Sequence, residues 1–405
     1  MNISLRSQRP ATASRGSGGR VPLLALGTFA VGTDAFVVAG FLPEMAGELG
    51  VSEAAAGASV TVFAICYAVF SPMLASATAT VPRRRLLVAA LLVLGLANLG
   101  TALAPNFAVL IASRVLAALG AAAYTPNAGA VASSLVPQER RGRALALVVS
   151  GLTVATAIGV PLGGLASRVM GWRTALGLVA LLCVLIGIGL AVLLPALAGG
   201  ARVPLAARLA VLRNPGVRVI LPVTALGMAA AYTAYAYAIP AFGAVGIRTE
   251  TVQWMLFLYG IGAVAGAQSS GRFTDRFGGI RVLIVGYAVM AATLAALGSL
   301  SLSNASLPVL VGVLAFTWGA SSWCQTPPQQ HRLVAAAPNE APLVIALNSS
   351  GIYIGIGLGT LIGGVAGTGN AIWMFFSGAA IAVATAAFLI ATSRAGGRNA
   401  PKEAI

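Results

Sequence analysis

The sequence predicts an all-α membrane protein of twelve transmembrane helices, arranged as two six-helix halves related by pseudo-symmetry. Three observations carry this. Of the 405 residues, 58% are hydrophobic and 8% charged, with a mean hydropathy of +0.92, whereas a soluble domain carries about 25% charged residues. The apolar residues come in long continuous runs, not in the alternation of a membrane β-barrel, and at about 20 residues per crossing the chain holds roughly twelve spans. A set of glycines, prolines and tryptophans also recurs after about 200 residues.

In chain order, residues 1–20 are Ser/Gly/Arg-rich and read as a disordered cytoplasmic tail. The spans then fall at 21–43, 57–79, 86–104, 107–134, 144–166 and 174–195, which form the first bundle, 21–195. A polar stretch, 196–216, reads as a central cytoplasmic linker. Spans at 217–241, 252–271, 281–302, 307–334, 341–366 and 370–392 form the second bundle, 217–392, and 393–405 is a second cytoplasmic tail. The first apolar run is not a signal peptide, being long, closed by Pro43 and followed by many more spans.

The repeat supports duplication. Gly151, Gly159, Gly163 and Gly164 return as Gly351, Gly359, Gly363 and Gly364, 200 residues on, and Pro137, Glu139 and Trp172 as Pro338, Glu340 and Trp373, 201 on. Arg85 and Arg281, 196 apart, each open the third span of their half. With an even number of spans per half the copies share one orientation, a parallel-repeat plan with a site at the midplane between them. Charge sets the direction. With the N-terminus inside, 21 Lys/Arg fall on cytoplasmic segments and only Arg168, Arg173 and Arg248 outside, so both termini are expected in the cytoplasm. The net charge of +16 is thereby accounted for without nucleic acid. Cys66, Cys183 and Cys324 are scattered in apolar runs and His331 is the lone histidine, so no metal site or other cofactor is expected. Catalysis is not expected either, since no Ser–His, Cys–His or paired-carboxylate constellation lies within the spans.

Asp34, in the stretch Gly32–Pro43, is the one acid that cannot be placed in a loop. A charge at membrane depth costs roughly 2.5–3.5 kcal/mol on insertion scales, so it faces the interior and marks proton or ion binding. Arg114 is the second intramembrane charge. Asp34 lies nine residues before Pro43 and Arg114 eight after Asn106, which puts both roughly 12–14 Å below the outer surface. The sequence shows a shared depth, not contact; a coupling pair and a static ion pair both fit. Asp275 lies with Gly271, Arg272, Arg276 and Arg281 on what reads as the loop between spans eight and nine, a charge lock on the inner gate. At the equivalent place in the first half stand Ala79 and Pro82, so that copy lacks its acid and its glycine. Gly159, Pro161, Gly163 and Gly164 let helices approach closely and bend the fifth span, as a hinge or a seal between halves. A cavity between the halves draws on Phe36, Tyr67, Asn127, Tyr232, Tyr235 and Tyr259, with Phe41, Tyr124, Trp318, Trp323, Gln325, Asn348 and Tyr353 as further aromatic or amide groups within spans. Such a lining suits a small, weakly polar, hydrophobic ligand.

These motifs resemble the major facilitator superfamily, and within it the twelve-helix drug–proton antiporters. G-T-D-A-F-V-V-A-G-F-L-P at 32–43 is similar to that group's first-helix signature, L-I-A-S-R-V-L at 110–116 to its fourth-helix arginine motif, G-V-P-L-G-G at 159–164 to its fifth-helix motif, and G-R-F-T-D-R-F-G-G-I-R at 271–281 to its loop motif. The pattern around 151–173 looks most like actinobacterial chloramphenicol-resistance exporters, with sugar-efflux relatives close behind. The resemblance implies a monomer in the bacterial plasma membrane that exports a small hydrophobic drug, chloramphenicol first, in exchange for protons. Efflux of sugars or an endogenous metabolite by the same mechanism is the alternative.

Overall fold

The computed structural model describes residues 20–200, 204–303 and 307–398. The tail expected over 1–20, apart from Arg20, and the end of the tail expected over 393–405 lie outside these. The described residues form helices and turns without strands. In the first half, α1 (Arg20–Phe36) tightens into a 3₁₀ turn, Val37–Gly40, and a short helix, Leu42–Glu48. Then come α2 (Glu53–Ala77), α3 (Arg83–Ala102), α4 (Phe107–Ser134), α5 (Arg141–Met170 in segments) and α6 (Trp172–Leu193). The second half holds α7 (Pro215–Tyr235, followed by the short helix Ala238–Ala244), α8 (Val252–Phe277), α9 (Gly279–Leu302), α10 (Pro308–Trp323), α11 (Ala341–Ala366) and α12 (Ile372–Arg398). Ten helices among the described residues are long and apolar enough to cross a membrane. The other two long elements are α8, which carries Gln253, Gln268 and three charges in its last turns, and α10.

Local chemistry sets the ends. Ser52 caps α2 by accepting from Ala55 N (3.2 Å), and Asn106 caps α4 by accepting from Val109 N (3.0 Å). The expected span 307–334 is in fact two helices, Pro308–Trp323 and Thr326–Ala336. Pro327 and Pro328 bring no N–H, so carbonyls at the end of α10 lose their acceptor role and the helix restarts. In α5, Pro161 likewise leaves a carbonyl one turn back unmet, and the helix widens there into a π turn, Ala155–Gly159. The linker expected over 196–216 contains a short helix, Leu205–Ala210. Its start docks on the α2–α3 turn: Gly200 N donates to Ala79 O (2.8 Å) and Arg83 N donates to Leu197 O (2.9 Å).

The duplication is visible in packing. Gly151 of α5 lies against Ala25 of α1, Gly159 against Thr33, and Gly163 against Val37. In the second half Gly351 lies against Leu221, Gly359 against Ala229, and Gly363 against Thr233. Each contact repeats with a shift of 200 on one helix and 196 on the other, so α11 sits on α7 in the register in which α5 sits on α1. The face where α3, α5 and α9 begin carries Arg83–Arg85, Arg140, Arg141, Arg143 and Arg281 and is termed the basic face below. The halves are joined nearer the opposite face. There Gln253 Nε2 donates to Gly40 O (3.0 Å), Thr61 Oγ1 to Gly357 O (3.3 Å) and Arg168 Nη1 to Glu250 O (2.9 Å). Nearer the basic face, a cleft of about 280 Å³ separates α5 from α8 and α10, lined by residues such as Ser150, Thr153, Gln268 and Trp323.

Candidate functional site

Asp34 and Arg114 meet. Arg114 Nη1 donates to Asp34 Oδ1 at 2.6 Å and Nη2 to the Asp34 carbonyl at 3.3 Å, with the two side chains 1% and 0% exposed. The second bond follows from local structure: Asp34 is in the last turn of α1, whose carbonyls have no partner further along the helix. The guanidinium also lies 4.6 Å above the centre of the Phe63 ring, a cation–π contact that replaces part of the lost hydration. Asp34 Oδ2 and Arg114 Nε have no partner. The pair therefore keeps an unused acceptor and an unused donor in the interior, where they cost most. A carboxylate with a free oxygen is a place where a proton can be taken up.

Beside the pair stand two groups of aromatic rings, each drawn from both halves and together forming the aromatic cluster between them, one beginning at Phe63 and the other at Phe36. Phe63 lies 6.1 Å from Tyr353 of α11, and Tyr67 stacks on Tyr353 at 3.8 Å. Phe36 lies 5.9 Å from Tyr232 and 6.1 Å from Trp323, which also borders the cleft. Tyr232 touches Tyr235 (5.0 Å), Tyr235 touches Tyr259 (4.6 Å), and Tyr259 touches Trp318 (5.1 Å). The hydroxyls of Tyr232, Tyr235 and Tyr353 and the indole N–H of Trp318 are buried without partners. Leaving such groups unmet costs about 1–3 kcal/mol each, so these four buried donors are capacity that the fold itself does not use.

Five of the six side chains expected to line a cavity lie in these two ring groups, Tyr67 in the first and Phe36, Tyr232, Tyr235 and Tyr259 in the second. Asn127 does not: it sits 13 residues beyond Arg114 along α4, accepts from Arg83 Nη1 (2.8 Å) and donates to Ala123 O (2.8 Å). Among the further candidates Tyr353, Trp318 and Trp323 belong to the cluster, whereas the rest are structural. Tyr124 donates to Leu24 O (3.0 Å), Asn348 accepts from Thr224 (3.0 Å), Gln325 accepts from Tyr287 (2.9 Å), and Phe41 stacks on Trp172. Phe63 and Gln253 were not singled out by sequence. Phe63 stands one turn from Tyr67 on the same face of α2, which was the available signal. Gln253, in the first turn of α8, gave none beyond being an amide in an apolar run.

Gly271, Arg272, Asp275 and Arg276 do not form the expected loop. They are the last turns of α8, and the connection to α9 and Arg281 is Gly278 alone, at φ +82°. Nothing breaks the helix before that glycine, the one residue type that takes this φ without strain. Asp275 is exposed, and the ion pairs found among the described residues are Arg114–Asp34 and Arg173–Glu48, so the expected charge lock is not closed here. Gly159, Gly163 and Gly164 lie at the seam: Gly159 and Gly163 against α1, and Gly164 against the Gln253 side chain of the other half. Pro161, between them, is buried and sits just past the π turn.

Comparison with known sequences shows the family, and comparison with solved structures shows the fold. The profile described as Major Facilitator Superfamily matches residues 24–246 and 221–404. A chloramphenicol resistance protein of Streptomyces lividans is 32% identical over 370 residues, covering 89% of this chain and 93% of that protein. The uncharacterized MFS-type transporter YbcL of Bacillus subtilis (strain 168) is 30% identical over 347 residues, covering 85% and 88%. The inner membrane transport protein YdhP of Escherichia coli (strain K12) is 30% identical over 352 residues, covering 85% and 88%. Among solved structures, a D-xylose-proton symporter superposes with a TM-score of 0.72 at 17% identity, covering 91% of this chain and 96% of that one. A bacterial homolog of the human lysosomal transporter Spinster gives 0.67 at 17%, covering 94% and 96%.

Proposed function

The chain belongs to the major facilitator superfamily, and from that premise we propose that it is a proton-coupled antiporter exporting a small hydrophobic drug, with chloramphenicol as the first substrate to test. The observation that carries this is the buried Asp34–Arg114 pair placed one ring away from the aromatic cluster between the halves. The positive-inside rule assigns the basic face, and both termini, to the cytoplasm. The cleft between α5, α8 and α10 then faces the cytoplasm and leads, through Trp323 and Phe36, to the cluster. A drug would stack on the tyrosines and accept from their unpartnered hydroxyls. Asp34 is already paired with an arginine, so a neutral aromatic carrying acceptors suits this lining better than a cation. Chloramphenicol, with its nitrophenyl ring and amide, is such a molecule, and the Streptomyces relative's name points the same way.

Coupling follows from the pair. Protonation of Asp34 cancels its attraction for Arg114, and the freed guanidinium can shift against Phe63 and so against the Tyr353–Tyr67 contact that ties the halves. A ligand or a proton moves the equilibrium between inward and outward states only by its differential affinity for the two. One proton driven by 100 mV supplies about 2.3 kcal/mol, enough for roughly fifty-fold concentration of a neutral solute. No cofactor enters this scheme. The test is growth and drug accumulation in a sensitive host expressing the intact protein or Asp34→Asn, with and without an uncoupler. Protection by the intact protein that the uncoupler and Asp34→Asn both abolish is expected. An intact protein that confers no protection would remove chloramphenicol as substrate, and accumulation indifferent to the uncoupler would remove proton coupling.

A further inference from the structure

A further cavity lies outside the site described above. It is a groove of about 570 Å³ between α8, α9 and α10, lined among others by Phe273, Phe277, Val285 and Val289, with Ser321 on its floor and Arg281 at its mouth on the basic face. Phe273 and Val285 are 50% and 62% exposed, so the groove opens sideways to hydrocarbon rather than to water. From Arg281 to Val289 it follows about 12 Å of α9, close to one leaflet of a core about 30 Å thick. A slot of this kind in a bilayer is filled by acyl chain, since water gains nothing there.

The charges select the chain's headgroup. Arg281 takes part in neither ion pair found among the described residues. Arg276 adds a second cation beside the mouth, its guanidinium 5.2 Å above the Phe277 ring that lines the groove. Asp275, the acid nearest in sequence, is roughly half a turn round α8 from Phe273 and so looks away from the slot. We propose that this groove binds an anionic phospholipid of the leaflet bordering the basic face, one acyl chain lying along α9 and the phosphate held by Arg281. The bound lipid would wedge α9 against α8 and α10 at the last turns of α8, where the gating residues sit.

The test is native mass spectrometry of the purified, delipidated protein titrated with phosphatidylglycerol or phosphatidylcholine of the same acyl composition. The intact protein is expected to retain one phosphatidylglycerol at about fivefold lower concentration than phosphatidylcholine, the preference one basic residue gives for an anionic lipid. Arg281→Gln should lower the preference, its combination with Arg276→Gln should equalise the two lipids, Arg281→Lys should keep the preference, and Ser269→Phe, which fills the groove from α8, should remove both. If Ser269→Phe does not fold, Val289→Trp closes the groove from α9. The proposal is overturned if the intact protein shows no preference, if Arg281→Gln leaves it undiminished, if the filled groove still retains lipid, or if chloramphenicol displaces the lipid. None of these readouts requires transport, so their failure leaves the exporter reading standing.

Discussion

Breaking the Asp34–Arg114 pair from one side should cost more than removing it altogether. Both side chains are at most 1% exposed and joined at 2.6 Å, so Asp34→Ala leaves a guanidinium in the interior with only a backbone carbonyl and the Phe63 ring for company. Removal of one partner of a buried pair costs about 3–5 kcal/mol, whereas replacing both by apolar groups is often neutral or stabilising. Asp34→Ala and Arg114→Met should therefore each lower the melting temperature of the detergent-purified protein by many degrees. The double variant should recover most of that loss, giving a coupling energy of a few kcal/mol in the double-mutant cycle. Melting can be followed by tryptophan fluorescence, since Trp318 and Trp323 lie in the cluster. Additive losses, with the double variant melting below either single one, would show that the two groups act separately and would undo the coupling scheme. The double variant should also fail to use a proton gradient, which separates the stabilising role from the transport role.

Three further outcomes are expected. Tyr232→Phe and Tyr235→Phe remove hydroxyls without partners, so each should leave stability unchanged or raise it by up to about 1 kcal/mol, while drug affinity measured by equilibrium binding falls; a loss of stability with intact affinity would contradict the lining proposed. Gly260→Ala would drive a methyl into the Ala157 backbone across the seam, and backbone cannot step aside, so the halves should part on the face opposite the basic one. In a cysteine-free background, Thr61→Cys should then react faster with a maleimide, and an unchanged rate would argue against a closed seam there. Outside the spans, the Arg173 hydrogen bond chiefly, with help from Trp172, holds the Glu48 carboxyl below the usual carboxylate range despite some burial. A lowered value in the fold means its stabilisation is complete above pH about 4.5 and fades as the pH falls through the lowered value. For a half-exposed pair this amounts to at most about 1 kcal/mol, and Glu48→Gln should flatten the acid limb of a melting-temperature profile by that much.

Composition and the repeat made the fold legible, because apolar runs and glycine spacings are local properties that survive without knowledge of contacts. The glycines at 151, 159 and 163 even foretold which helix faces pack, since small residues a few turns apart serve only a close neighbour. Partnership was harder. Depth counted along two helices placed Asp34 and Arg114 in one layer, but rotation of each helix about its axis decides contact, and no residue reports that alone. Asn127 shows the same gap: an amide in a span suggested a cavity, and the structure spends it on Arg83. The break in α10 was readable from two adjacent prolines, and the helical course of residues 271–277 from the lack of a breaker before Gly278. The docking of the linker on Ala79 could not be read, since backbone pairing leaves no mark on side-chain type.

Phe36 and Tyr232 are 196 residues apart, the spacing that relates α1 to α7, and their rings are 5.9 Å from each other. Equivalent positions can touch only where the two copies meet, so this contact straddles the rotation axis of the molecule. Because the two copies share one orientation in the bilayer, the axis that relates them runs along the membrane normal and passes between these two rings. In the alternating-access scheme proposed above, rings beside that axis are the ones that shift least when the two halves tilt, and Tyr232 keeps its unpartnered hydroxyl buried there.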